Sequence, residues 1–78
     1  MQRENERWLA ENIGRRVYNV RLRKTGMTHV RLSELSGVSV GTISRIERGK
    51  SRPYADILAR LADALGTTAG ALLGEVAK

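Results

Sequence analysis

The sequence predicts a small all-α fold built from five helices. Apolar residues recur every three or four positions along most of the chain, which is the spacing of one helix face. Hydroxyl residues stand where three helices would begin and can accept hydrogen bonds from the first turn; they are Thr28, Ser39 and Thr68. Glycines follow the ends of three helices, where a left-handed backbone ends a helix; they are Gly37, Gly49 and Gly66. The 78 residues suffice for one domain, which buries only about 60% of its unfolded surface.

The first predicted helix is long and extends from about Glu4 to Lys24. Its apolar stripe consists of Leu9, Ile13, Val17 and Val20. Gly14 lies inside this helix and costs about 1 kcal/mol relative to alanine. We expect Trp8 to pack against the domain itself, and contact with a second subunit is the alternative.

The next two helices are short and are joined by a tight turn. They are predicted at His29–Ser36 and at Val40–Arg48, with Ser36-Gly37-Val38 between them. The predicted buried positions are Leu32 and Leu35 in the first of the pair, Val38 in the turn, and Ile43 and Ile46 in the second. Helices this short are not stable alone in water, so the rest of the chain must support them.

Two further helices complete the predicted fold. Pro53 opens the fourth helix, at about Tyr54 to Leu65, and the fifth extends from about Ala69 to Val76. The buried stripe of the fourth helix consists of Ile57, Leu58, Leu61, Ala62 and Leu65. The apolar residues of the fifth helix are Leu72, Leu73 and Val76. These either close the core or form a dimer contact, and the sequence leaves both interpretations open.

The charge of the chain indicates a polyanionic partner. Fourteen lysines and arginines stand against eight acids, which gives a net charge of +6, and arginine, the planar donor suited to phosphate and guanine, predominates. Six basic residues lie between Arg15 and Arg31, and four more lie between Arg45 and Arg52. A surface that merely happens to be basic is the alternative. Clustering beside a pair of short helices favours nucleic acid.

The composition also argues against several other classes of protein. There are no cysteines, which suits a reducing cytoplasm and leaves neither a disulfide nor a thiolate metal site. No apolar run approaches the roughly 20 residues of a membrane span. One histidine and scattered carboxylates supply no nucleophile–base pair and no metal-ligand cluster. We therefore expect no enzyme activity, no cofactor, no metal and no membrane association.

The central segment resembles the phage-repressor/Cro-like helix-turn-helix family, also called the XRE family. The residues that carry the resemblance are Leu32, Ser33, Gly37, Val38, Ile43 and Ile46, then Glu47-Arg48-Gly49-Lys50, Pro53 and the segment DILARLADALG. The likeness extends from about Ile13 to Leu73. It implies a compact, lambda-repressor-like domain with the helix-turn-helix at helices two and three. Residues 1–12 are then an N-terminal helical extension of a single domain, 1–78.

The resemblance also implies which residues contact DNA. Base contacts fall on the third helix, at Val40, Gly41, Ser44 and Arg45. Backbone contacts fall at Thr28, His29, Arg31, Ser39, Thr42, Arg48, Lys50 and Arg52. His29 and Arg31 oppose the dipole at the start of helix two, which costs several tenths of a kcal/mol unless a phosphate docks there. If the chain dimerises through the fifth helix, as members of this family often do, the candidate contact residues are Leu72, Leu73 and Val76, with Trp8 as a further candidate.

Members of this family pair Glu47 with an arginine near the end of the first helix. Counting from Ile13 selects Arg21, whereas counting back from Thr28 selects a position close to Arg23. The connection is one residue out of the common register, so the sequence leaves the choice open. Two solvated charges are the alternative to a bidentate pair.

The function implied is a sequence-specific transcriptional regulator of double-stranded DNA, acting as a repressor and as a homodimer in the cytoplasm. An antitoxin or another protein-binding module of the same fold is the alternative, with a toxin as partner and DNA binding secondary. The sequence leaves open whether the chain is a whole regulator or one domain of a larger protein.

Overall fold

The computed structural model describes residues 2–75, with side chains from Arg7 onward. Within these residues, five α-helices follow one another. Their bounds are α1 Gln2–Asn19, α2 His29–Ser36, α3 Val40–Glu47, α4 Ala55–Leu65 and α5 Ala69–Leu73, with a π-helical segment, Val20–Thr25, continuing α1. The all-α architecture predicted from the sequence is therefore confirmed. None of the helices in the described part is both long enough and apolar enough to cross a bilayer.

One core holds the helices together. Its fully buried members come from every helix. They are Ile13 and Val17 of α1, Leu32 of α2, Ile43 and Ile46 of α3, Leu61 of α4 and Leu72 of α5. Val38 lies in the core beneath the turn between α2 and α3, as predicted. The α2–α3 pair therefore rests on α1 and α4, which supply the support that such short helices need.

The close crossing of α1 and α3 depends on Gly14. This glycine is buried, and a Cβ atom placed on it would overlap the carbonyl oxygen of Ile46 and come within 3.0 Å of that of Glu47. Only a residue without a side chain lets the two backbones approach so closely. Gly14 thus lowers the helix propensity of α1, but its missing side chain is what allows α3 to dock on α1.

The π-helical segment explains the offset register of the first helix. A π-type turn holds one residue more than an α-type turn, so it absorbs the extra residue before Thr28. Gly26, at φ 70°, ends the segment, and its N–H donates to the carbonyl oxygen of Arg21. The first helix was predicted to end at Lys24, close to the observed end at Thr25.

Two predicted side-chain positions are wrong. Leu35 was expected on the buried face of α2, but 47% of its surface is exposed. Ser36 takes the inward position instead, and its Oγ accepts a hydrogen bond from the N–H of Val38 at 3.1 Å. Trp8 was expected to pack against the domain, but it is 62% exposed.

The fifth helix is shorter than predicted. It begins after Thr68, whose hydroxyl accepts a hydrogen bond from the N–H of Ala71, as the sequence indicates. It ends at Leu73, because Gly74 adopts a left-handed conformation with φ 89°. Val76 lies outside the described residues.

Candidate nucleic-acid interface

The exposed face of α3 is bare within the subunit. Ile43 and Ile46 are fully buried on one side of the helix. The residues predicted to contact bases lie on the other side: Val40, Gly41 and Arg45 are exposed, and Ser44 is half-buried. The free face of α3 therefore carries an apolar side chain, two small residues and one cation. Such a face can enter the major groove, whose width admits an α-helix.

Local hydrogen bonds orient the polar side chains of α3. Ser39 caps the helix: its Oγ accepts a hydrogen bond from the N–H of Thr42 at 3.1 Å and donates to Thr42 Oγ1 at 2.8 Å. The guanidinium of Arg45 lies 3.4 Å from the same hydroxyl. Arg48 ends the helix, and its Nε donates to the carbonyl oxygen of Ser44 at 3.3 Å. Both exposed guanidinium groups therefore lie along the helix.

Arg21 is the arginine that pairs with Glu47. Its Nε donates to Glu47 Oε2 at 2.6 Å, and its second terminal nitrogen donates to Oε1 at 3.1 Å. The remaining nitrogen donates to the carbonyl oxygen of Met27 at 2.8 Å. The Tyr18 ring lies 5.5 Å from the guanidinium carbon. With both side chains almost fully buried, this bidentate pair joins the end of the first helix to the end of α3.

His29 is a third member of this network. Its Nε2 lies 2.8 Å from Glu47 Oε1, and 36% of its side chain is exposed. Glu47 therefore joins three elements: the π-helical segment through Arg21, the start of α2 through His29, and its own helix α3. The sequence pointed to His29 only as a phosphate contact; its position against Glu47 was missed.

Two basic side chains at the start of α2, His29 and Arg31, each lie beside a carboxylate. Glu47 lies against His29, and Glu34 lies 3.4 Å from Arg31 on the helix surface. The exposed Arg31–Glu34 pair is weak and leaves the guanidinium accessible. Thr28 caps the helix by accepting the N–H of Arg31 at 3.0 Å. Each of these two basic side chains therefore has a carboxylate neighbour and keeps part of its surface exposed.

A basic loop follows α3. Gly49 adopts φ 73°, and the N–H of Lys50 donates to the carbonyl oxygen of Arg45 at 2.9 Å, which ties the loop to the helix. Lys50 and Arg52 are exposed beside Arg48. The three cations are therefore available at the surface directly after α3, and their expected contact with a DNA backbone stays a prediction.

Of the residues expected at a dimer contact, the structure buries one and exposes two. Leu72 is 1% exposed and belongs to the core, so it offers no surface to a partner, which corrects its inclusion. Leu73 and Trp8 are exposed. Val76 lies outside the described residues. Among the side chains described, no group of three histidines and acids is placed to hold a metal ion.

Comparison with known proteins agrees with this geometry. The sequence profile of the helix-turn-helix family matches residues 17–72. The crystal structure of the clp gene regulator ClgR from Corynebacterium glutamicum is similar, with a TM-score of 0.77 and 35% sequence identity. That likeness covers 83% of this chain and 68% of the ClgR chain. Comparison with curated protein sequences returned no significant match.

Proposed function

Because this chain belongs to the XRE-type helix-turn-helix family of DNA-binding transcriptional regulators, we propose that it is a repressor that binds its operator as a homodimer. The observation that carries this proposal is the orientation of α3. Ile43 and Ile46 face the core, so the side with Arg45 is left free for the major groove. Two copies would read half-sites about 34 Å apart on a pseudo-palindromic operator.

Each residue on the free side of α3 has a distinct chemical role in this proposal. Arg45 donates two parallel hydrogen bonds to N7 and O6 of a guanine. Val40 contacts a thymine methyl group, and Gly41 lets the DNA approach the helix backbone closely. Ser44 donates to or accepts from several bases and discriminates little.

The surrounding polar groups position the helix without reading sequence. Phosphate contacts come from the loop after α3 and from the starts of α2 and α3. The proposed backbone contacts are Thr28, His29, Arg31, Ser39, Thr42, Arg48, Lys50 and Arg52. Repression follows from occupancy of a promoter in the cytoplasm, where the bound protein excludes polymerase.

Replacing Arg45 with alanine is expected to remove the preference for one G·C base pair while weak binding remains. The discrimination lost at that position should be about 1–3 kcal/mol, the contribution of a bidentate arginine–guanine contact. Selection from random duplex DNA with both proteins measures this change. Arg48→Ala is the matched control and should weaken binding equally for all sequences. A uniform loss for Arg45→Ala would assign Arg45 to the DNA backbone instead.

The affinity for DNA is expected to fall steeply with salt. The logarithm of the binding constant should fall with the logarithm of salt concentration, with a slope of about −0.9 for each neutralised phosphate. Fluorescence anisotropy titrations of the selected duplex at several KCl concentrations give this slope. A flat response would contradict a surface that binds DNA mainly through its cations.

The exposed Trp8 favours a second candidate function, an antitoxin-type module that binds a protein partner. Its side chain is 62% exposed, and tryptophan is enriched among the residues that contribute most to protein–protein binding. The homodimer that we propose would compete for the same residue, if its contact includes the exposed Trp8 and Leu73. The purified chain can be mixed with the product of a neighbouring gene and the stoichiometry of any complex measured. A complex between the two different proteins favours a toxin partner, whereas self-association of the chain alone favours the homodimer.

A further inference from the structure

A cationic cleft lies between the first half of α1 and the loop after α3. It encloses about 580 Å³. The lining residues that matter are Arg7 and Glu11 of α1, with Arg48, Gly49, Lys50 and Arg52 from the other side. The cleft is thus lined by four cationic side chains and one carboxylate. Arg7 precedes the part of the chain that matches the family profile, which begins at residue 17.

Close packing holds α1 against this loop. Ala10 is buried, and a Cβ atom on Gly49 would lie 2.9 Å from Cγ of Glu11 and 3.1 Å from its Cα. The helix backbone therefore rests directly on the loop at Gly49. Arg7 lies one turn before Glu11 on the same face of α1, and its side chain lines the cleft on the side opposite the loop.

Within the described side chains, the positive charges of the cleft have no ion-pair partner. Among the side chains described from Arg7 to Glu75, three ion pairs occur, and none involves a cation of this cleft. Like charges that face one another across a small space repel, and an anion between them removes that repulsion. The loop cations directly follow α3, and the N–H of Lys50 donates to the carbonyl oxygen of Arg45 on that helix. DNA bound by α3 would therefore bring phosphate groups close to the cleft.

We propose that this cleft binds a backbone phosphate of the DNA and that Arg7 extends the DNA-contact surface onto the N-terminal half of α1. The inference rests on the proposed function. Arg7 and Lys50 approach the phosphate from opposite sides of the cleft, and Glu11 lowers the affinity of the cleft. This contact adds affinity at any sequence, because phosphates carry no base information.

The test replaces Arg7 with glutamine in the full chain and measures binding to a labelled mixed-sequence duplex across a series of KCl concentrations. Loss of one phosphate contact should reduce the log–log salt slope by about 0.9 and the affinity by about threefold to tenfold at moderate salt. Arg7→Lys should keep the slope, and Glu11→Gln should raise the affinity. Glutamine has nearly the helix propensity of arginine, so equal thermal unfolding curves are expected.

Arg16→Gln is the matched control, because it makes the same change in net charge on the same helix. Arg16 lies beside Gly74 at the end of α5, away from α3 and from the cleft. If Arg7→Gln leaves the slope of the unaltered protein unchanged, or lowers it no more than Arg16→Gln does, the inference is overturned and the proposed function stands. If the unaltered protein binds no duplex at any salt concentration, the proposed function itself fails.

Discussion

Replacing Gly14 with alanine is expected to destabilise the protein by about 3 kcal/mol, a large share of the stability of so small a domain. Helix propensity alone predicts the opposite sign, a gain of about 1 kcal/mol for alanine inside a helix. The steric effect dominates, because the added methyl group meets backbone carbonyl oxygens of α3, which cannot rotate away. Urea denaturation followed by circular dichroism measures the difference.

The control for this prediction is Gly41→Ala, the same change in the first turn of α3. A Cβ atom at Gly41 would meet only the end of the Arg45 side chain, at 3.9 Å. This variant should therefore be as stable as the unaltered protein, or more stable by up to about 1 kcal/mol. Equal stabilities for the two alanine variants would show that α1 and α3 do not cross at Gly14.

Replacing Arg21 with alanine is expected to cost about 3–5 kcal/mol of unfolding free energy. The change removes one partner of a buried pair and leaves the Glu47 carboxylate with His29 alone. The carbonyl oxygen of Met27 also loses its guanidinium donor. Thermal and urea unfolding measure the loss of stability. At temperatures where the variant remains folded, weaker DNA binding should follow, because Glu47 no longer fixes the end of α3 to the first helix.

Arg23→Ala is the matched control for this prediction. It removes the same charge from the same π-helical segment, but Arg23 is exposed, so a change within about 0.5 kcal/mol is expected. A double-mutant cycle with Glu47→Gln isolates the Arg21–Glu47 coupling from the effects of either change alone. Comparable losses for Arg21→Ala and Arg23→Ala would remove the basis for assigning the pair to Arg21.

His29 connects the proposed DNA-contact surface to the buried ion pair that stabilises the fold. Its ring joins the start of α2 to the buried Arg21–Glu47 pair while part of the ring remains at the surface. A phosphate at the start of α2, as we propose, would meet a histidine already oriented by Glu47. The same carboxylate would then hold both the end of α3 and a backbone-contacting group in place.

The elements that the sequence predicted well are those set by local chemistry. The bounds of α2 and the starts of α3 and α5 agree with the structure, because the hydroxyls of Thr28, Ser39 and Thr68 bond within their own first turns. Left-handed glycines end helices for an equally local reason, as at Gly37 and Gly66. Neither effect depends on what the helix packs against.

The errors arise where a neighbouring helix decides the outcome. The apolar stripe of α2 included Leu35, but the elements packed around α2 leave it exposed and bury Ser36, whose hydroxyl is satisfied by the Val38 N–H. The choice between Arg21 and Arg23 depended on a π-type turn that no residue pattern revealed. Leu72 could have faced a partner, but α5 packs on α1 and α4 and places it in the core.

The sequence by itself determined that this protein is a five-helix domain whose third helix carries buried isoleucines on one side and an arginine on the other. Helix periodicity and capping are local, so they can be read from neighbouring residues. Only the tertiary structure decided that Gly14 lets α1 and α3 touch, that Arg21 holds Glu47, and that Arg7 and Lys50 line the same cleft. These arrangements bring together residues that are far apart in the chain, and they follow from how whole helices pack.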